Sequence, residues 1–136
     1  MPSVFAKLNL KAQTEVLILA APASFESEVQ ALADVAVVRD ARKVKSIDFA
    51  LVFVTTRAAV DAAMKLIAGK AAGDVVLWFA YPKGTSKRYA SEINRDTGWD
   101  SLTSAGFETV RLVAIDQDWS ALRFRRKAYV GGKKAR

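Results

Sequence analysis

The densest concentration of chemistry in the chain is Lys83, Gly84, Thr85, Ser86 and Lys87, directly after the apolar run Val75 to Pro82. Two ammonium groups, two hydroxyls and the amides of a glycine-containing turn can cradle a phosphate or a carboxylate. The spacing is not that of a Walker loop, because GxxxxGK[ST] is absent and Gly84 follows its lysine. A plainer reading stands beside it: a polar strand-to-helix turn with Ser86 as N-cap and solvated lysines. Arg57 follows Thr55 and Thr56 after a second apolar run and can add a forked contact to an anion, or simply point into water. Ser24, after a third apolar run, completes the set of candidate ligand-binding residues.

No residue can be assigned a catalytic role. The chain has no cysteine and no histidine, which excludes Ser-His-Asp and Cys-His catalysis, disulfides and zinc-cysteine sites. No metal site is expected. Asp116 and Asp118 are close enough for acid-base work or a hard cation, but in a tight hairpin turn aspartate more often bonds nearby backbone. Among the tryptophans, Trp78 belongs to an apolar strand and Trp119 opens the last strand, so both read as core. Trp99 either lids a pocket or anchors its connection.

These residues need elements to hold them. Glu15 to Ala21 reads as a buried strand ended by Pro22. Ser24 is expected to cap a helix with Glu26 and Glu28 in its first turn and Phe25, Val29, Leu32 and Ala33 on one face. A short strand follows at Val35 to Val38, then a charged connection and a buried strand at Asp48 to Val54. Thr55 or Thr56 can cap a helix from Arg57 to about Ala68, bounded by Gly69 and Gly73. After Lys87, short helices are predicted over Tyr89 to Arg95 and Thr97 to Ala105. Phe107 to Ile115 and Trp119 to Arg126 are separated by three residues, too few for a crossover, so they form an antiparallel hairpin.

The expected fold is α/β: a Rossmann-like doubly wound, mostly parallel sheet of about six strands with a C-terminal antiparallel hairpin. The predicted strand order is 2-1-3-4-6-5. Ligands of such sheets bind beyond the carboxyl ends of the strands, which is where the candidate residues fall.

The net charge of +7 is localised. Residues 1–121 carry fourteen basic and fourteen acidic side chains; residues 122–136 carry seven basic ones and no acid. The reading is a single domain over 1–127 and a basic, flexible tail over 128–136. Such a tail either solubilises or holds nucleic acid weakly and without specificity. Arg123 and Arg125 share one face of the last strand, read as an edge guarded against aggregation or a ridge for nucleic acid. With no signal-peptide hydrophobic region and no apolar run of membrane length, a cytoplasmic protein is expected.

Two resemblances attach to these residues. Trp78-Phe79-Ala80-Tyr81-Pro82-Lys83 and Ala114 to Phe124, with Leu19 to Phe25 and Asp48 to Arg57, resemble a family of small bacterial proteins. That family is catalogued as a domain of unknown function, numbered three-zero-five-two, and implies no activity. More distantly, the late buried strand, helical connection and terminal hairpin resemble the back half of class I S-adenosylmethionine-dependent methyltransferases. That family holds its cofactor on a glycine-rich turn after the first strand. Here the turn is Ala21-Pro22-Ala23-Ser24, no glycine precedes Gly69, and Asp40 is the one acid placed to hold ribose hydroxyls. No cofactor is therefore expected.

The functional expectation is a non-catalytic binding domain for a small anionic ligand bearing phosphate or carboxylate. The alternatives are a nucleic-acid or protein interaction module using the basic C-terminus, and a degenerate methyltransferase-like enzyme.

Overall fold

In the computed structural model, which describes residues 4–132, six strands form one sheet in the order β2-β1-β3-β4-β6-β5. They are β1 (Glu15–Leu19), β2 (Ala36–Val38), β3 (Ile47–Phe53), β4 (Ala71–Pro82), β5 (Phe107–Ala114) and β6 (Trp119–Arg126). Strands β2, β1, β3 and β4 pair in parallel, and β6 pairs antiparallel with both β4 and β5. This is the expected doubly wound sheet with its terminal hairpin. The helices are α1 (Val4–Lys7), α2 (Glu26–Gln30), α3 (Arg57–Ile67) and α4 (Asp100–Ser104). None of the described helices is long and apolar enough to cross a membrane.

Parallel strands are covered on both faces, so their sequences read as unbroken apolar runs. One core cluster packs Leu17, Val52, Leu77, Phe79 and Phe124 against Val60, Met64 and Ile67 of α3 and Leu102 of α4. On the other face Ile18, Leu51, Phe53 and Trp78 meet Phe5 and Leu8 of the N-terminal segment and Phe25 and Val29 near α2. The indole of Trp78 is fully buried and donates to the Leu8 carbonyl at 2.8 Å, tying α1 to the central strand.

Several local expectations are corrected. Ser24 does not cap a long helix: Ala23–Phe25 form a 3₁₀ turn and α2 spans only five residues, with no side-chain cap. Ala33 is exposed. Residues Tyr89 to Arg95 are not helical, because Ser91 accepts from Ile93 N and Asn94 from Asp96 N, local bonds that compete with a helix. The following helix is trimmed to Asp100–Ser104, since Gly98 has φ +105°. Gly73 lies inside β4, which begins four residues earlier than the apolar run suggests.

The last strand is not an edge. β6 sits between β4 and β5, and its Arg125 forms a forked pair with Asp74 of β4 at 2.8 and 2.7 Å. Helix α1 was not anticipated; its one turn lacks the length that shows a period. Residues Lys127–Gly132 form a 3₁₀ segment, with Lys127 N bonded to Gly106 O. Lys133, Lys134 and Arg136 of the basic tail lie outside the described residues.

Candidate functional site

The carboxyl end of β4 is stitched to the hairpin turn. Lys83 N donates to Asp118 O at 2.8 Å, and Ser86 N closes a turn on Lys83 O at 2.9 Å. The Ser86 hydroxyl donates to Asp118 Oδ1 at 3.0 Å and accepts from Arg88 N and Tyr89 N, both at 3.2 Å. Ser86 thus does what an N-cap does, with no helix behind it. Asp116 Oδ1 accepts from Asp118 N and Trp119 N at 2.8 and 2.9 Å, so this aspartate is a turn former. Among the described residues no group of three or more acidic, histidine or cysteine side chains is placed to hold a metal.

This turn divides the five-residue candidate loop. Lys83, Gly84 and Ser86 line a cavity of about 430 Å³ with Tyr81, Ser91, Glu92, Ile93 and Asn94. Thr85 and Lys87 line a separate depression of about 380 Å³ with Arg88, Gln117 and Asp118. Asp118 brings a carboxylate to the second, with Oδ2 3.9 Å from Arg88 Nε.

Thr55 and Arg57 do not line the first cavity but are hydrogen-bonded to its wall through their backbones. Glu92 N donates to Thr55 O at 2.9 Å, and Arg57 N donates to Glu92 Oε1 at 3.1 Å. Thr56 Oγ1 accepts from Ala59 N at 3.0 Å as the N-cap of α3. The amino end of α3, which favours negative charge, thus already holds the chain's own carboxylate. Ser24 is exposed after β1 and lines neither cavity.

Sequence reasoning missed Tyr81, Ser91, Glu92 and Asn94. Tyr81 was hidden in an apolar strand; its ring is buried and its phenol is pushed up by that burial, with Arg95 opposing. Ser91, Glu92 and Asn94 lie in the stretch misread as a helix. Trp99 is an anchor: it is buried, packs on Phe79, Tyr81 and Phe124, and donates to Asn94 O at 2.8 Å.

Beyond β1 and β2, where a nucleoside cofactor would be expected, the chain pairs several of its own groups. An aromatic row runs across the strand ends, Phe25 to Phe53 at 5.0 Å, Phe53 to Trp119 at 5.1 Å and Trp119 to Tyr89 at 4.9 Å. Arg39, just after β2, forms a forked bond with Glu26 at the start of α2 at 2.7 and 2.8 Å. Asp40 accepts from Arg42 N, Nε and Nη2 at 2.9 to 3.1 Å, and this guanidinium holds its carboxyl down to about 2. Ala20 takes φ +59° where the turn would use glycine. The glycine-free turn and the internal pairing of Asp40 with Arg42 are poor matches to a site for S-adenosylmethionine in that position.

No family model matches the chain, and no curated protein does. Solved structures do. The chain is similar to a SAM-dependent methyltransferase from Aquifex aeolicus, with TM-score 0.53 and 14% identity over 90% of this chain and 87% of that one. It is also similar to a magnesium protoporphyrin IX methyltransferase from Synechocystis with bound SAM (TM-score 0.55, 13% identity, 90% and 74%). A third is the N-methyltransferase NodS from Bradyrhizobium japonicum (TM-score 0.51, 14% identity, 89% and 91%). Other matched chains are longer, and this chain spans 52% of one and 38% of another. At such identities the likeness defines a fold: the chain has the α/β architecture of class I methyltransferases.

Proposed function

We propose that this chain is a non-catalytic binding domain on a methyltransferase-like scaffold, taking a small anionic ligand in the cavity beyond β4. The observation that carries the reading is the cavity itself. Its volume of about 430 Å³ falls in the range of small-molecule sites, it lies outside the carboxyl end of a central strand, and Lys83 supplies the cation. The Ser86–Asp118 hydrogen bond ties the loop that lines it to the hairpin turn, which lowers the ordering cost of binding.

A thermal-shift panel of phosphate- and carboxylate-bearing compounds tests this. At least one compound should raise the melting temperature of the wild type and of Lys87→Ala, and leave Lys83→Ala unmoved. Equal shifts in all three proteins, or none in the wild type, would retire the proposal.

The likeness in fold favours a second reading, a degenerate enzyme on the same scaffold. Titration calorimetry with S-adenosylmethionine separates the two. The aromatic row and the Arg39–Glu26 clasp lead us to expect no heat of binding; a micromolar dissociation constant would favour the enzyme. The interaction module built on the basic C-terminus would show itself as salt-sensitive nucleic-acid binding lost on removing residues 127–136.

A further inference from the structure

The cavity beyond β4 carries two opposite charges that do not neutralise each other. Lys83 and Glu92 both line it. Neither belongs to an ion pair within 4.0 Å among the described residues. Glu92 is nevertheless held in place: its Oε1 accepts from Arg57 N at 3.1 Å and its own amide donates to Thr55 O at 2.9 Å, leaving Oε2 as a spare acceptor. Lys83 is held by its amide on Asp118 O at 2.8 Å, while its ammonium lies within 4.0 Å of no carboxylate among the described residues. Asn94 and Ser91 add amide and hydroxyl groups along the same wall, though Ser91 is engaged with the Ile93 carbonyl at 2.7 Å.

A purely anionic ligand would leave Glu92 facing it, and like charges in one small site repel. A purely cationic ligand would meet Lys83 in the same way. A ligand carrying both charges satisfies both walls at once, each through a charge-assisted hydrogen bond. We infer that the site takes a zwitterion of the free α-amino-acid class, its carboxylate on Lys83 and its ammonium on Glu92. This rests on the binding reading above and narrows it from any small anion to a dipolar one. Tyr81 also lines the cavity, at the point where β4 leaves the core.

The test compares three matched probes on the full chain: L-phenylalanine, its decarboxylated amine phenethylamine, and its deaminated acid 3-phenylpropionate. The intact amino acid should bind about tenfold more tightly than either truncated compound, the effect of one lost charge-assisted bond. Glu92→Gln retains an oxygen for Arg57 N, and a thermal melt confirms that it folds. It should remove the preference for phenylalanine over 3-phenylpropionate, whereas Lys83→Ala should remove that over phenethylamine. Equal affinity of the wild type for phenylalanine and 3-phenylpropionate would overturn the zwitterion while leaving an anion site standing. An unchanged preference in Glu92→Gln would overturn it as well. If neither these probes nor the wider anion panel binds the wild type, the cavity reading fails along with it.

Discussion

Gly98 constrains the cavity wall through its close packing on Ile93. Its φ of +105° suits glycine, and a Cβ there would overlap the Ile93 side chain, which is itself buried. Both effects penalise Gly98→Ala, so a loss of about 2 kcal/mol or more is expected by chemical denaturation; a midpoint equal to wild type would contradict this geometry. The tryptophans make a second contrast. Trp78 and Trp99 each donate a buried N–H to a carbonyl at 2.8 Å, while Trp119 Nε1 is buried with no partner in the described chain. Replacing a bonded donor strands its acceptor, whereas removing an unbonded one does not. Trp119→Phe should therefore cost less stability than Trp78→Phe, whose acceptor Leu8 is itself fully buried, measured side by side by urea unfolding. Asp74 gives a pH signature. The guanidinium of Arg125 holds its carboxyl below the usual 3.8, against the opposing pull of burial. With the folded-state value depressed, the stabilisation is complete above the unfolded value and is lost as the pH falls through the folded one. Asp74→Asn should thus melt below wild type at neutral pH, and the gap should close in acid below 3.8; a gap independent of pH would disprove the pairing.

At the level of elements, α3 shows a helix whose start is written in the sequence and whose function is altered by the fold. Thr56 before Arg57, and Val60, Met64 and Ile67 on one face, are local signals and appear as expected. Thr56→Ala should cost about 1 kcal/mol, and thermal unfolding reads it. What the local signals could not show is that Glu92, thirty-five residues away, would reach the same amino end. The connection from Lys87 to Gly98 was illegible for a related reason. Tyr89 and Ile93 sit four apart as on a helix, but Ser91 and Asn94 turn the backbone through their own side chains. Periodicity reports burial, and a loop with one buried and one half-buried anchor imitates a helix. The N-terminal turn at Val4–Lys7 failed in the opposite sense: Phe5 and Leu8 are fully buried, yet one turn is too short to display any period.

For the whole molecule, the sheet order was legible because apolar runs on both faces demand parallel, covered strands and a three-residue link demands a hairpin. Placement of the candidate loops at one end of the sheet followed from that order. How they divide between two cavities did not, since it depends on Ser86 and Asp118 meeting across 32 residues. The apparent edge role of Arg123 and Arg125 likewise came from judging a strand alone; its neighbour β5 takes the edge, and the bulge between Thr109 and Arg111 interrupts the ladder there. Such an interruption discourages pairing with a further chain.

The interior position of β6 has a consequence for how the fold is reached. Each of the other five strands precedes it in the chain, so while a ribosome is making this protein the sheet lacks its sixth member until Arg126 has emerged. Until then β4, the strand richest in large apolar side chains, presents Leu77 and Phe79 along an open ladder, and β5 has no partner at all. A product cut or stalled before Trp119 would carry that open ladder permanently. Such fragments are natural substrates for chaperones and proteases, whereas the finished chain conceals what would attract them.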